Sequence, residues 1–401
     1  MKLGILREGK LPPDNRTPLT PEQCLAVQKK FPGVRVVVQS SHVRCYIDEA
    51  YLNKGITVQE NLSECDVLLG VKEVPIYELI PEKIYFFFSH TLKMQVYNRN
   101  LLQAILQKKI QLVDYEALTD KEGFRIIGFG RYAGLVGAYN GLRALGLRYR
   151  IFDLKPAHQC EGLAEMLQQL SPINFPAVKI ALTGDGRVAG GVVELLENLN
   201  IRRLSPEQYL EVEKSAFPVY TQLLPQHYVK AKNGSEFGLM HFFNHPELYE
   251  NSFLPYAQST DLLIAAAYWD PKSPLLFTPE DMKQDDFRIH IISDITCDID
   301  GSVPSTKRAA TIDNPFYDYN PVTGNLEHPF SSPGNITVQA VDNLPNELPK
   351  DASEAFGRSL IEKVFPDLFK EDSDGIIERA TVTKDGLLTG RYSWLNDFVK
   401  I

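Results

Sequence analysis

The sequence predicts an α/β protein with two doubly wound parallel sheets, each forming one domain. Short, unbroken apolar runs alternate with helical patterns through the first third of the chain, which is typical of a parallel sheet covered on both faces. A second set begins near residue 178, where an apolar run leads into a glycine turn and then a helix. The length of 401 residues also exceeds what one hydrophobic core usually supports.

The predicted strands of the first domain all end at polar or charged residues. They cover residues 2–6, 34–38, 66–71, 84–88 and 110–113. A helix is expected to start near Thr20, a suitable N-cap, with Pro21 at its first position. Ligands of open parallel sheets bind beyond the carboxyl ends of the strands. The residues that follow these strands are therefore site candidates: Arg7, Glu8, Lys72, Glu73, His90, Asp114 and Glu116.

The glycine turn of the second domain has the sequence TGDGRVAG at residues 183–190. Gly184 allows a tight turn, and Gly186 lets the backbone approach a pyrophosphate group. The helix that starts at Arg187 and Val188 offers backbone N–H groups and its positive dipole end to phosphates. The turn therefore predicts a dinucleotide-binding, Rossmann-like domain. Both domains are expected to be Rossmann-like, with a cleft between them.

The position of the turn in mid-chain sets the predicted domain boundaries. Residues 1–135 together with about 345–401 are assigned to an amino-terminal catalytic domain, because a late helix over 352–364 is expected to pack back on it. Residues 136–344 are assigned to the dinucleotide-binding domain. Within it, about 206–260 is aromatic-rich and too long for a simple connection, which predicts an inserted subdomain or lid.

The residues at the end of the strand that follows the turn are expected to decide whether NAD or NADP binds. NAD-binding domains usually place an acid at the end of this strand for the ribose hydroxyls. Here the region carries Arg202, Arg203 and Ser205, with Glu207 only nearby, so NADPH is favoured over NADH. Asp294 ends a later predicted strand over 289–294 and is a further candidate contact to the cofactor.

Three residues of the first domain have both an ordinary and a functional interpretation. Lys72 is either a solvated lysine or a base whose pKa is lowered by burial and by neighbouring cations. His90 is either a hydrogen-bonded core residue or a proton-transfer group. Arg16 is either a surface charge or a clamp for a substrate carboxylate. No metal is predicted, because Pro246 directly follows His245 and no acidic partner accompanies His241.

Composition limits the classes of function and location. The net charge of −9 argues against nucleic acids and anionic membranes as partners. The five cysteines are scattered and odd in number, as expected of reduced thiols in a cytoplasmic protein. No apolar run approaches membrane-spanning length.

Seven segments with distinctive motifs lie in order along nearly the whole chain, at 7–8, 16–21, 70–75, 88–93, 128–134, 293–298 and 341–345. They resemble the alanine dehydrogenase and saccharopine dehydrogenase superfamily. Within it they resemble lysine-forming saccharopine dehydrogenases. The region around 245–249 and 267–269 is most similar to the lysine–2-oxoglutarate reductase domain of bifunctional aminoadipate semialdehyde synthases.

This resemblance implies the reaction of lysine, 2-oxoglutarate and NAD(P)H to give saccharopine, or its reverse. It implies that Lys72 and His90 are an acid/base pair and that Arg16 holds a carboxylate, with Glu73 and Glu116 as contacts to the amino acid. It also implies an amino acid and a 2-oxo acid as partners of a monomer or homodimer.

The amine substrate is left open, because Ser205 replaces an expected acid and the position of Arg131 varies in the group. Two alternatives stay open. One is an alanine-dehydrogenase-like enzyme that uses ammonia and pyruvate. The other is a non-catalytic nucleotide sensor that has kept the fold.

Overall fold

The computed structural model describes residues 1–400, and the chain divides into two compact units. Unit 1 comprises Met1–Phe129 and Pro349–Ile401, and unit 2 comprises Gly130–Leu348. The sequence analysis placed the first boundary at 135, which lies inside a helix that begins at Gly130 and runs to Tyr149. Because a helix packs as one body, all of it belongs to unit 2.

The amino-terminal part of unit 1 alternates strands and helices. Helix α1 begins where the sequence predicts, since Thr20 and Gln23 form a capping box and Pro21 is its first residue. In chain order the elements are β1 Lys2–Ile5, α1 Pro21–Lys30, β2 Arg35–Gln39, α2 Asp48–Leu52, β3 Thr57–Gln59, β4 Val67–Leu69, β5 Ile84–Phe87, α3 Arg99–Gln107 and β6 Gln111–Asp114.

Unit 2 follows, and the chain then returns to unit 1. The elements of unit 2 are α4 Gly130–Tyr149, α5 Leu163–Leu170, β7 Lys179–Thr183, α6 Arg187–Asn198, β8 Arg202–Leu204, α7 Pro206–Glu211, β9 Val219–Leu223, α8 Pro225–Tyr228, β10 Val229–Ala231, α9 Leu239–Asn244, β11 Tyr249–Asn251, α10 Leu254–Ala257, β12 Leu262–Ala265, β13 Ile291–Asp294, β14 Phe316–Tyr319, β15 Leu326–Glu327 and β16 Ile336–Gln339. The carboxyl-terminal elements of unit 1 are α11 Pro349–Lys363, α12 Phe365–Phe369, α13 Ile376–Ala380, β17 Thr381–Lys384, β18 Leu387–Leu388 and α14 Asn396–Lys400. Within residues 1–400, no helix is both long enough and apolar enough to span a membrane.

The sheet of unit 1 has the order β3-β2-β1-β4-β5-β6-β17-β18 and is parallel from β3 to β6. Neighbouring residues of one strand enter different apolar layers: Phe86 packs in one cluster and Phe87 in another. Both faces of the sheet are therefore covered, as the unbroken apolar strands predict. The carboxyl-terminal strand β17 adds an antiparallel edge beside β6.

The sheet of unit 2 has the order β8-β9-β7-β12-β13-β16-β14-β15. It is parallel from β8 to β16, and β14 and β15 add an antiparallel edge. The predicted α/β fold class with two mainly parallel sheets is confirmed.

The strand beside β7 is β9 and not β8, the strand at whose end the sequence analysis expected the residues that bind the ribose. Strand β9 pairs with β7 over its whole length, from Val219 opposite Lys179 to Leu223 opposite Thr183. The segment 206–260 therefore contributes a central strand to the main sheet, because Val219 and Leu223 are fully buried in its core. Only residues beyond β9 form a separate small sheet, the antiparallel pair of β10 and β11.

Candidate functional site

The candidate residues of unit 1 follow adjacent strands of its sheet. Lys72 and Glu73 come after β4, His90 after β5, and Asp114 ends β6. Because these strands are parallel neighbours, the side chains meet at one edge of the sheet. Hydrogen bonds cross between the strand ends, one joining His90 to Glu73 and one from the Ser89 N–H to Asp114.

Lys72 is largely buried, and its backbone is anchored by Glu8, which follows β1. One carboxyl oxygen of Glu8 accepts from the Val71 N–H at 2.7 Å, and the other accepts from the Lys72 N–H at 2.8 Å. Burial, and then the positive charge of Arg16, lower the pKa of the Lys72 amine. Its ammonium makes no hydrogen bond or ion pair to any residue from 1 to 400. The backbone of Lys72 is thus held in place, and its amine is available to contact a ligand.

His90 is fixed by Glu73. The Nδ1 atom of His90 lies 2.7 Å from Glu73 Oε1, and the Lys10 ammonium donates to both Glu73 oxygens at 2.9 and 2.8 Å. Burial alone would raise the pKa of Glu73, but these contacts, first that with His90, lower it to about 2. The network Lys10–Glu73–His90 therefore fixes the ring orientation of His90 by an ionised carboxylate.

The backbone around His90 is also held in an uncommon conformation. His90 has φ 52° and ψ 13°, in the left-handed region that non-glycine residues seldom adopt. The Asn98 side-chain amide donates to the His90 carbonyl at 3.3 Å. The preceding residue, Ser89, donates its N–H and its hydroxyl to Asp114. Burial raises the pKa of Asp114 to about 6, although the bonds from Ser89 oppose that shift.

Arg16 is buried and not a surface charge. Its Nε donates to Asp14 Oδ1 at 2.9 Å and its Nη2 donates to Asp14 Oδ2 at 2.5 Å, while only 3% of Arg16 and 1% of Asp14 is exposed. The guanidinium also lies over the Phe129 ring, 4.1 Å from its centroid. Such a planar, oriented guanidinium suits recognition of a carboxylate.

Glu116 does not join the network of Lys72 and His90. Its backbone N–H donates to Asp114 Oδ1 at 2.7 Å, and its carboxylate lies 3.7 Å from the Arg125 guanidinium. Conversely, the sequence analysis gave no role to Lys10 and Asp14, which hold Glu73 and Arg16. The available signal was the presence of two further charges in the same Pro-rich loop as Arg16.

The glycine turn of unit 2 has the geometry expected of a dinucleotide site. Gly184 has φ 94°, and a Cβ there would lie 2.9 Å from the Ala267 Cα, so only glycine fits. Gly186 precedes helix α6 without a side-chain cap, and a Cβ there would meet nothing within 4 Å. Helix α6 thus opens without a side-chain cap from Gly186 and next to open space, which fits a pyrophosphate group.

Helix α6 also packs unusually close to α4. A Cβ on Gly134 would lie 1.9 Å from the Val188 carbonyl oxygen, and one on Gly191 would lie 2.1 Å from the Arg131 carbonyl oxygen. Two glycines therefore bring the helix backbones into contact, which fixes the first turn of α6 beneath the glycine turn.

We predict different outcomes for substitutions at the two glycines of the turn. Gly184→Val is expected to lower the free energy of unfolding by about 2–4 kcal/mol, because the left-handed backbone and the Ala267 backbone both oppose a side chain. Gly186→Ala is expected to fold with stability within about 1 kcal/mol of the parent but to bind nucleotide at least ~10-fold more weakly, because its methyl group occupies the open space. Chemical denaturation and nucleotide titration measure both effects. Parent-like nucleotide binding by Gly186→Ala would contradict the assignment of the pyrophosphate.

The two arginines predicted to contact the cofactor lie on β8, which is separated by β9 from β7, the strand that leads into the turn. Arg202 is the first residue of β8 and lies opposite Val219 of β9. Both arginines are exposed. Arg203 Nη2 donates to Gln222 Oε1 at 2.7 Å, and Gln222 Nε2 donates to the Gly184 carbonyl at 2.8 Å. Arg203 is therefore linked to the turn, whereas Arg202 is not.

Asp294 ends β13 and is fully buried. Its carboxylate accepts from the Thr296 hydroxyl at 2.6 Å, from the Thr306 hydroxyl at 2.7 Å and from two backbone N–H groups. Burial raises its pKa, although these bonds oppose the shift. Asp294 therefore orders the loop after β13 through these hydrogen bonds.

Comparisons with known proteins show which families this chain resembles. The family model described as alanine dehydrogenase/PNT, N-terminal domain, matches residues 4–136. The mitochondrial alpha-aminoadipic semialdehyde synthase of Mus musculus is 29% identical over 440 residues, covering 98% of this chain and 47% of the relative. The chain therefore spans about half the length of the semialdehyde synthases it matches.

A shorter relative and a solved structure extend the comparison. The saccharopine dehydrogenase (NAD(+), L-lysine-forming) of Emericella nidulans is 25% identical over 381 residues, 89% of each chain. A structure of L-alanine dehydrogenase matches with a TM-score of 0.66 at 14% identity, covering 99% of this chain and 100% of the other. The structural match supports the fold alone, and the sequence matches agree with the resemblance seen in the motifs.

Proposed function

Because the chain belongs to the saccharopine dehydrogenase and lysine–2-oxoglutarate reductase family, within the alanine dehydrogenase superfamily, we propose that it is an opine-type oxidoreductase. In this proposal it interconverts L-lysine, 2-oxoglutarate and NAD(P)H with saccharopine. The observation that carries the proposal is the largely buried amine of Lys72, whose pKa is lowered by burial and by the charge of Arg16, with His90 fixed at the end of the next strand.

Lys72 is assigned the proton of the secondary amine. In the oxidative direction a neutral Lys72 removes this proton as the carbon loses hydride, and in the reductive direction the protonated Lys72 returns it. A lysine with an ordinary pKa is almost entirely protonated at neutral pH and is a poor base. The lowered pKa of Lys72 brings both protonation states closer to the working pH. The bound nicotinamide supplies or accepts the hydride.

His90 is assigned the steps in which water leaves or enters. When the amine adds to the 2-oxo acid, a carbinolamine forms. His90 then protonates the departing hydroxyl to give water, while the nitrogen proton passes to Lys72 and the imine is left. In reverse, His90 removes a proton from the attacking water. Glu73 supports this role by holding His90 Nδ1, and we propose that it acts mainly through His90. A direct contact of Glu73 or Glu116 with the amino acid remains a secondary proposal.

Arg16 is assigned to a carboxylate of the oxo acid. The ion pair with Asp14 and the ring of Phe129 set the plane of the guanidinium. A fixed plane favours paired hydrogen bonds to a carboxylate. The charge of Arg16 also contributes to the lowered pKa of Lys72, so one residue serves binding and proton transfer together.

A nicotinamide cofactor is supported by the relatives and by the turn at Gly184, and we propose that NADPH is preferred over NADH. The strand beside β7 ends at Leu223 and is followed by Leu224 and Pro225, so no acid stands where a ribose hydroxyl is usually bound. The name of the Emericella nidulans relative specifies NAD(+), and a different preference here requires different residues at this position.

The proposed activity predicts a clear substrate pattern. With NADPH, the protein is expected to consume reduced cofactor when lysine and 2-oxoglutarate are both present, and not when either is omitted. The loss of reduced-nicotinamide absorbance is the measurement, and saccharopine formation is confirmed by mass spectrometry. Other amino acids in place of lysine define the selectivity for the amine.

Two results would contradict this pattern. Turnover with pyruvate and ammonia, but not with lysine, would assign the chain an alanine-dehydrogenase-like activity. Tight NADPH binding without turnover on any amine and oxo acid would assign it a nucleotide-sensing role.

We further propose that the protein is cytoplasmic and works as a monomer or homodimer. All five cysteines are unpaired, which suits a reducing compartment. Light scattering of the purified chain and fractionation of cells that express it are the direct measurements.

A further inference from the structure

Arg203 is joined to the glycine turn by two consecutive hydrogen bonds. Its Nη2 donates to the side-chain oxygen of Gln222, and the side-chain nitrogen of Gln222 donates to the Gly184 carbonyl. Gly184 in turn donates its N–H to the Leu223 carbonyl at 2.9 Å. The position of the Arg203 guanidinium is therefore linked to that of the turn itself.

The strand register separates Arg203 from Arg202. Arg203 is opposite Tyr220, and the Tyr220 hydroxyl lies 3.4 Å from Glu197 of helix α6, so this face of the sheet is the face of α6. Arg202 is opposite Val219 and shares a face with Leu204, which packs into the core on the other side. Two adjacent, exposed arginines thus lie on different faces, and only Arg203 is on the face of the helix that follows the turn.

Three other titratable groups around the turn, Asp185, Glu207 and His227, do not take the place of Arg203. Asp185 is exposed within the turn. Glu207 accepts from the Ser205 hydroxyl at 2.8 Å in the first turn of α7. His227 uses its Nδ1 to accept the Leu224 N–H at 2.9 Å. Within residues 1–400, Nη2 is the single guanidinium nitrogen of Arg203 that has a protein partner, so its other N–H groups can serve a ligand.

We propose that Arg203 receives the 2′-phosphate of NADPH and that Gln222 is the residue that positions it. This inference rests on the proposed use of a nicotinamide dinucleotide. A phosphate on the adenosine ribose offers oxygens to the guanidinium, whereas the ribose hydroxyl of NADH offers no negative charge. The link through Gln222 keeps the guanidinium beside the turn before the nucleotide arrives, which reduces the entropy lost on binding.

The test compares dissociation constants of NADPH and NADH, measured by titration calorimetry without amino acid or oxo acid. Arg203→Gln is expected to weaken NADPH binding roughly 10- to 100-fold and to change NADH binding less than about 2-fold. Arg202→Gln is the matched control and is expected to change neither constant. Gln222→Leu is expected to weaken NADPH binding by several-fold, less than Arg203→Gln, with NADH again little affected.

Several results would overturn the inference. They are equal weakening of both nucleotides by Arg203→Gln, no effect of that change, or tighter binding of NADH than of NADPH by the parent. Binding of neither nucleotide by the parent would overturn both this inference and the proposed function. If NADPH binding depends on Arg203 but lysine and 2-oxoglutarate give no turnover, the inference stands and the proposed substrates are wrong.

Discussion

Replacing Lys72 with methionine is expected to lower turnover by about 10²- to 10⁴-fold in both directions while NADPH affinity stays near the parent value. Methionine keeps the length and apolar volume of the side chain but has no titratable nitrogen. The loss should appear in kcat, because the Lys72 proton is transferred during the chemical step. Stopped-flow or steady-state absorbance, together with nucleotide titration, measures the two quantities separately.

The stability of the Lys72→Met protein provides an independent check. Lys72 is a largely buried cation near Arg16 without an ion pair among residues 1–400, so its removal is expected to leave the free energy of unfolding unchanged or slightly higher. A lysine with a purely structural role would show the reverse, with lower stability and preserved kcat. Lys29→Met, at an exposed position in the last turn of α1, is the control for loss of a surface lysine.

Lys72→Arg distinguishes positive charge from proton transfer. Arginine retains the charge but does not deprotonate near neutral pH, so this variant is expected to be as inactive as Lys72→Met. Substantial turnover by either Lys72 variant would remove Lys72 from the proton-transfer step.

Local patterns in the sequence were sufficient to find the residues at the sheet edge of unit 1. Lys72 and His90 each follow an apolar run, and a parallel sheet brings the carboxyl ends of its strands to one edge. The same holds for Gly184, whose turn lies between a strand and a helix, a context visible in consecutive residues. These predictions depend on contacts close in sequence and on one general property of parallel sheets.

Strand order was not predictable in this way. The ribose contacts were expected on β8, the next strand along the chain, but β9 lies beside β7 because its longer run of buried residues pairs along all of β7. This pairing joins segments far apart in the chain and is decided by burial of the whole sheet. Arg202 and Arg203 could be distinguished only when the register of β8 was known.

The partners of the charged side chains could not be predicted from the sequence either. The sequence left open whether Arg16 is a surface charge or a clamp for a carboxylate, and the structure shows that its loop folds Arg16 and Asp14 together into the interior. Glu73 was assigned to the substrate, and the structure gives it Lys10 and His90 as partners. Such pairings depend on loop geometry, which composition and periodicity do not specify.

The buried pair of Arg16 and Asp14 leads to the second large expected effect. Arg16→Met is expected to lower the free energy of unfolding by about 3–5 kcal/mol, because the Asp14 carboxylate stays buried without its cation. The double variant Arg16→Met, Asp14→Leu removes both charges and is expected to recover most of that stability. Denaturant unfolding of the parent, both single variants and the double variant gives the interaction energy of the pair.

The double variant also separates folding from substrate binding. If Arg16 holds a carboxylate of the oxo acid, the stable double variant still shows a KM for 2-oxoglutarate raised roughly 10- to 100-fold, because a charge-assisted pair of hydrogen bonds is absent. Its NADPH affinity is expected to stay near the parent value, since the nucleotide is assigned to unit 2. A parent-like KM in a double variant of recovered stability would show that the pair serves the fold alone, and 2-oxoglutarate would then need a different cation.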